Sequence, residues 1–136
     1  MSFETLFANP KGRTSRGHFI GALIVLAAAV AFYEVLVKGL TGQWCLLVLL
    51  YPAFVLHARR LHDMGQTAWL LLLPGALIAV AIWPHTASRG AFETPLSLAA
   101  LVVFAGFALW GCVGKGQPEA NKFGEPAAAS ARTPLR

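Results

Sequence analysis

Four long apolar runs divide this chain, and no other feature restricts its fold as much. They extend from Phe19 to Val37, from Leu40 to about Ala58, from Ala68 to Pro84 and from Pro95 to Gly114. A helix needs about 20 apolar residues to cross the hydrocarbon core of a bilayer, within a range of about 17–25. All four runs reach that range. The second is the least secure, because Pro52 lies inside it and only a short segment from Lys38 to Gln43 separates it from the first. The runs show no period-two alternation, and backbone groups in lipid must pair within their own segment, so helices are expected rather than strands. Pro52 and the Pro74-Gly75 pair then read as kinks.

Composition supports a lipid setting. Charged residues make up 12% of the 136 positions and apolar residues 57%, whereas soluble domains carry about 25% charged residues. This chain cannot cover a folded surface with polar groups. The first run follows basic residues and contains Ala29-Val30-Ala31, which imitates a signal-cleavage site. The run continues well past it, so a spanning helix is the expectation. Cys45 and Cys112 fall at opposite membrane faces in this layout, which argues against a disulfide. No zinc-type cysteine spacing occurs, and no metal or cofactor is expected.

Orientation follows from the basic residues. With the N-terminus inside, the cytoplasmic segments hold Lys11, Arg13, Arg16, Arg59, Arg60, Lys115, Lys122, Arg132 and Arg136, and the outer loops hold Lys38 and Arg89. Nine against two satisfies the positive-inside rule. Trp44, Trp83 and Tyr33 then fall at outer ends, and Trp69 and Trp110 at inner ends, where amphipathic rings are stable. The expected fold is an all-α bundle of four transmembrane helices, at about 19–37, 40–60, 68–84 and 95–114, with both termini cytoplasmic. Residues 1–18 form a basic leading segment and 115–136 a tail, expected to be disordered after about 126. Gly17-x-x-x-Gly21, Ala27-x-x-x-Ala31, Gly75-x-x-x-Ala79 and Ala105-Gly106 are candidates for close helix approach.

That topology gathers three polar segments on one face: Lys11–Arg16, Arg59–Thr67 and Gly116–Gly124. They contain Gly12, Arg13, Ser15 and Arg16; Arg59-Arg60-Leu61-His62-Asp63 with Gly65, ahead of Trp69; and Glu119, Asn121, Phe123 and Gly124, ahead of Pro126. On these motifs the chain resembles the DUF805 family over about residues 6–126. The resemblance implies a small multi-pass protein of the bacterial inner membrane and supplies no activity. The chain departs from the family pattern after Arg16, where Gly17, His18, Phe19 and Ile20 stand in place of an acidic residue, an aromatic and a tryptophan, and again at Thr67-Ala68.

Read physically, Arg13, Ser15, Arg16, Arg59, Arg60, His62, Asp63 and Asn121 form a candidate cluster. If the second helix continues through the block, Arg59 shares a face with His62 and Asp63, and Gly65 ends the helix. Asp63 is the only acid between Glu34 and Glu93, with Arg13, Arg16, Arg59 and Arg60 as available partners. One reading is a latch that pins the inner helix ends, with Glu119 and Asn121 tying down the tail. Another is an anion site, because four arginines exceed one acid and guanidinium forks suit a phosphate headgroup. Expected partners are therefore the bilayer, an anionic phospholipid, and a second copy or another membrane protein, not nucleic acid.

Catalysis has the least support. Neighbours on a helix point about 100° apart, so His62 and Asp63 do not form a dyad, and Ser15 is a nucleophile only if His62 reaches it. No residue is assigned a catalytic role. Transport would need ionisable groups within the spans, and the first helix offers Glu34 near its outer end. A non-enzymatic membrane protein thus leads, with a transporter or channel subunit and a membrane enzyme acting on a phosphorylated lipid as alternatives.

Overall fold

The computed structural model describes residues 7–37, 39, 44–82 and 95–127. Lys38, Gln43, Trp83, His85, Arg89 and Glu93 lie outside the described residues, as do the tail beyond 127 with its expected disorder and the side chains of Trp44 and Cys45. Four α-helices account for most of the rest: α1 (Arg16–Phe32), α2 (Trp44–Asp63), α3 (Leu72–Ile82) and α4 (Pro95–Val113). No strand occurs among the described residues. The α1 and α4 segments are long and apolar enough to span a membrane, taken as Arg16–Val37 and Pro95–Val113.

Local chemistry explains the helix ends. Ser15 caps α1 with its side-chain oxygen facing the His18 amide at 3.5 Å. The helix widens into a π turn over Tyr33–Val37, which carries Glu34. Pro52 sits inside α2 without ending it. At its far end the Gly65 amide donates to the His62 carbonyl and the Gln66 amide to the Leu61 carbonyl. Gly65 has φ +76°, so the pair forms a Schellman motif, as the Gly65 position predicts. The third apolar run opens as a 3-10 turn, Ala68–Leu71, and Pro74 falls in the first turn of the α-helix that follows. Its missing N–H is no loss in that turn. Pro95 occupies the first position of α4, where proline's fixed φ fits.

The helices pack as a bundle in which α2 meets each of the other three, α1 also meets α4, and α4 meets α3. Phe19, Ala22 and Leu56 form one core cluster, and Ala58, Leu61 and Leu71 another. Tyr33, expected at an interface, is buried against Val30, Leu47, Leu50 and Ile78. Outward-facing side chains are apolar: Val35, Leu73 and Val113 are each more than 70% exposed. The small-residue expectations need correction at their glycines. A Cβ at Gly17, Gly21, Gly75 or Gly106 would meet nothing within 4 Å among the described residues, so these glycines do not admit another of the described helices. Gly111 does, since a Cβ there would stand 2.7 Å from the Phe19 ring.

Candidate functional site

Three arginines are buried at one end of the bundle. Arg13, Arg59 and Arg60 are 4%, 6% and 2% exposed. Burying a guanidinium is costly unless its donors are satisfied. Here backbone carbonyls from all three polar segments supply most of the acceptors.

Arg13 precedes α1 and reaches across to both other segments. Its Nε donates to Asp63 Oδ1 at 3.0 Å. Its Nη1 donates to the carbonyls of Glu119, at 2.7 Å, and Gly124, and its Nη2 to those of Gln117 and Asp63. Arg60 donates from Nε to the Gly111 carbonyl at 2.8 Å, from Nη1 to Asp63 Oδ2 at 2.5 Å and to the Thr14 carbonyl, and from Nη2 to the Gly114 carbonyl at 2.6 Å. Each oxygen of Asp63 therefore holds a different arginine. Arg59 turns instead to the leading segment. It donates to Thr14 Oγ1 at 3.0 Å and to the carbonyls of Asn9, Lys11 and Arg13. The helix continues through the block to Asp63, but sharing a face does not pair Arg59 with Asp63: of the four available arginines, Asp63 pairs with Arg60 three positions back and with Arg13 from outside the helix.

Arg16 stays exposed and donates from Nη2 to the carbonyls of Val113 and Gly114, each at 3.2 Å. With Arg60 it supplies cations to the C-terminal carbonyls of α4, which helical bonding leaves unpaired. Asn121 donates from Nδ2 to the His62 carbonyl and to Gln117 Oε1, while the Gln117 amide donates to the Asp63 carbonyl at 2.8 Å. Glu119 joins through its main chain, not its carboxylate.

His62 stacks on Phe123, with ring centroids 3.8 Å apart and planes 10° from parallel. Its Nδ1 lies 3.3 Å from the Gly12 carbonyl. Burial pushes its pKa below the ordinary histidine value; the Gly12 carbonyl opposes this, and Arg59 and Lys122 add to it. His62 and Ser15 form no pair. Ser15 Oγ is 2.8 Å from His18 Nδ1 instead, within the capping turn of α1.

Several contributors carried no weight in the sequence reading. Thr14 is fully buried and joins Arg59 and Arg60 through its side chain, amide and carbonyl. A Cβ at Gly116 would overlap the Asp63 carboxylate, so glycine is needed there for close approach. The recurrence of glycine at 111, 114 and 116, opposite an arginine block, was the available signal. Among the described residues no group of three or more His, Cys, Asp or Glu side chains comes together to hold a metal.

The described residues are thus those of a helical protein with arginines bound to its own carbonyls and with two helices long and apolar enough to span a membrane. The sequence model of the DUF805 family, described as a protein of unknown function, matches residues 7–125. The chain belongs to that family, and the membership fits a membrane protein without an assigned activity. Neither the curated proteins nor the solved structures contain a match.

Proposed function

We propose that this chain is a non-enzymatic, multi-pass protein of the bacterial inner membrane, whose arginine cluster locks the cytoplasmic ends of four spanning helices. In this reading both termini are cytoplasmic, residues 19–114 form the membrane domain, and 1–18 and 115–136 flank it. The observation that carries it is the use of the Arg13, Arg59 and Arg60 donors on carbonyls of the leading segment, of the end of α4 and of the segment that follows it. A guanidinium so engaged has little left for a ligand. Arg16, exposed at the rim, is the arginine available to an anionic headgroup.

Native mass spectrometry in mild detergent tests both parts. Arg16→Ala is expected to lose retained anionic phospholipid while staying folded, and Arg60→Ala to unfold. Wild-type protein that retains no anionic lipid removes the headgroup role. An Arg60→Ala variant as stable as wild type removes the lock. The second reading, a transporter or channel subunit, is supported by Glu34 at the wall of a cavity of about 450 Å³ between the helices. Proteoliposome flux that depends on Glu34 would favour it.

A further inference from the structure

His57 lies on α2, before the arginine block, and is 4% exposed. Its Nδ1 is 2.8 Å from the Ala53 carbonyl. A carbonyl only accepts, so Nδ1 carries the proton, and an uncharged imidazole then presents a bare lone pair at Nε2. That atom is buried and has no hydrogen-bond partner among the described residues. Because Nδ1 turns back to its own helix, Nε2 points away from it. Phe19 and Phe104 flank the ring, with centroids 5.2 and 5.1 Å away.

The space beside this histidine is not filled. His57 lines a cavity of about 240 Å³ together with Phe54, Leu71, Ile78, Phe104 and Phe107. Leu50, Ala53, Ile78 and Phe104 also line the larger cavity of about 450 Å³ that reaches Glu34 and Ser97. Ligand sites of this kind are apolar with one or two placed polar atoms. Neither wall carries a lysine or arginine, so a phosphate or carboxylate has no counter-charge there. The free valence is an acceptor, which calls for a donor.

We propose that these adjacent cavities bind an uncharged lipid bearing a free hydroxyl, with the hydroxyl donating to His57 Nε2 and the chain extending into the larger cavity. Nε2 is buried in the unliganded protein, so a side chain beside it has to move to admit the hydroxyl; Phe104 is in place for that, since it flanks the ring and lines both cavities. The inference relies on the membrane reading for the source of the ligand.

Photolabelling of the full-length protein in detergent tests it, with a diazirine-bearing hexadecanol and its methyl ether, which has no proton to donate. Peptide mapping is expected to find α2 and α4 labelled about tenfold more by the alcohol, the worth of about one buried hydrogen bond. His57→Phe should bring the alcohol down to the level of the ether. Equal labelling of the wild type by the two probes overturns the proposal, because the cavity then selects by shape alone. A preference that survives in His57→Phe overturns the role of His57. The wild-type comparison stands even if the variant misfolds. Carbonate-resistant recovery of the chain from membranes tests the bilayer reading separately.

Discussion

Asp63 gives one carboxylate oxygen to Arg13 and the other to Arg60, and all three side chains are buried. Neutralising it leaves two guanidiniums uncompensated in a site with little water. Removing one partner of a buried pair costs about 3–5 kcal/mol. Asp63→Asn is therefore expected to lower the unfolding midpoint in detergent sharply, followed by tryptophan fluorescence. Glu119→Gln should leave it unchanged, because Glu119 contributes its carbonyl. Equal midpoints for Asp63→Asn and wild type would refute the lock. His62 predicts a pH dependence. Its folded pKa is depressed by burial, so the unfolded chain binds the proton more readily. Its stabilising contribution is present above about 6.5, the unfolded value, and declines as pH falls toward the lowered folded pKa. Arg59 and Lys122 nearby oppose the added charge as well. The midpoint should fall on acidification through that window, and His62→Gln should flatten the fall; an unchanged slope in the variant would assign the effect elsewhere.

At the scale of elements, glycines separate close contacts from open faces. A Cβ at Gly111 would press on the Phe19 ring and approach Arg60 Cγ at 3.4 Å, whereas one at Gly106 on the same helix meets nothing. Gly111→Val is expected to destabilise the α1–α4 contact by about 1–3 kcal/mol, in the range of overpacking. Gly106→Val should be nearly silent in the same thermal assay, and equal effects would contradict the packing described. The sequence reading did not distinguish these glycines, because a small-residue pattern shows where close approach is allowed and not which face a helix turns inward. It did locate the Schellman end at Gly65, since that depends on local backbone chemistry alone. It brought the three polar segments together through charge counting. Arg13 and Arg60 were among the four arginines available to Asp63, but helical spacing could not choose between them, because it considers α2 by itself and Arg13 arrives from a segment without helical phase. Most of the arginine acceptors are carbonyls, whose direction no side-chain identity encodes.

For the whole molecule, the arginine cluster and the topology support one another. Arg13, Arg60 and Gln117 come from segments before α1, at the end of α2 and after α4, yet they converge on Asp63. That convergence requires these three ends to lie at one side of the bundle. An odd number of crossings over α1 and α2 together, or over α3 and α4 together, would separate them. In the proposed topology that side is cytoplasmic, as the positive-inside rule expects from basic residues counted nine against two. With Cys45 and Cys112 replaced by serine, single cysteines read the arrangement directly. A thiol reagent that cannot cross the membrane should label Arg89→Cys in intact cells, and should label Lys122→Cys only after the membrane is permeabilised. Lys122 is exposed beside Phe123, so its protection in intact cells would reflect the membrane rather than burial in the protein. Labelling of Lys122→Cys in intact cells would invert the topology and put the arginine lock on the outer face, where anionic headgroups are scarce and the role proposed for Arg16 would lose its ligand.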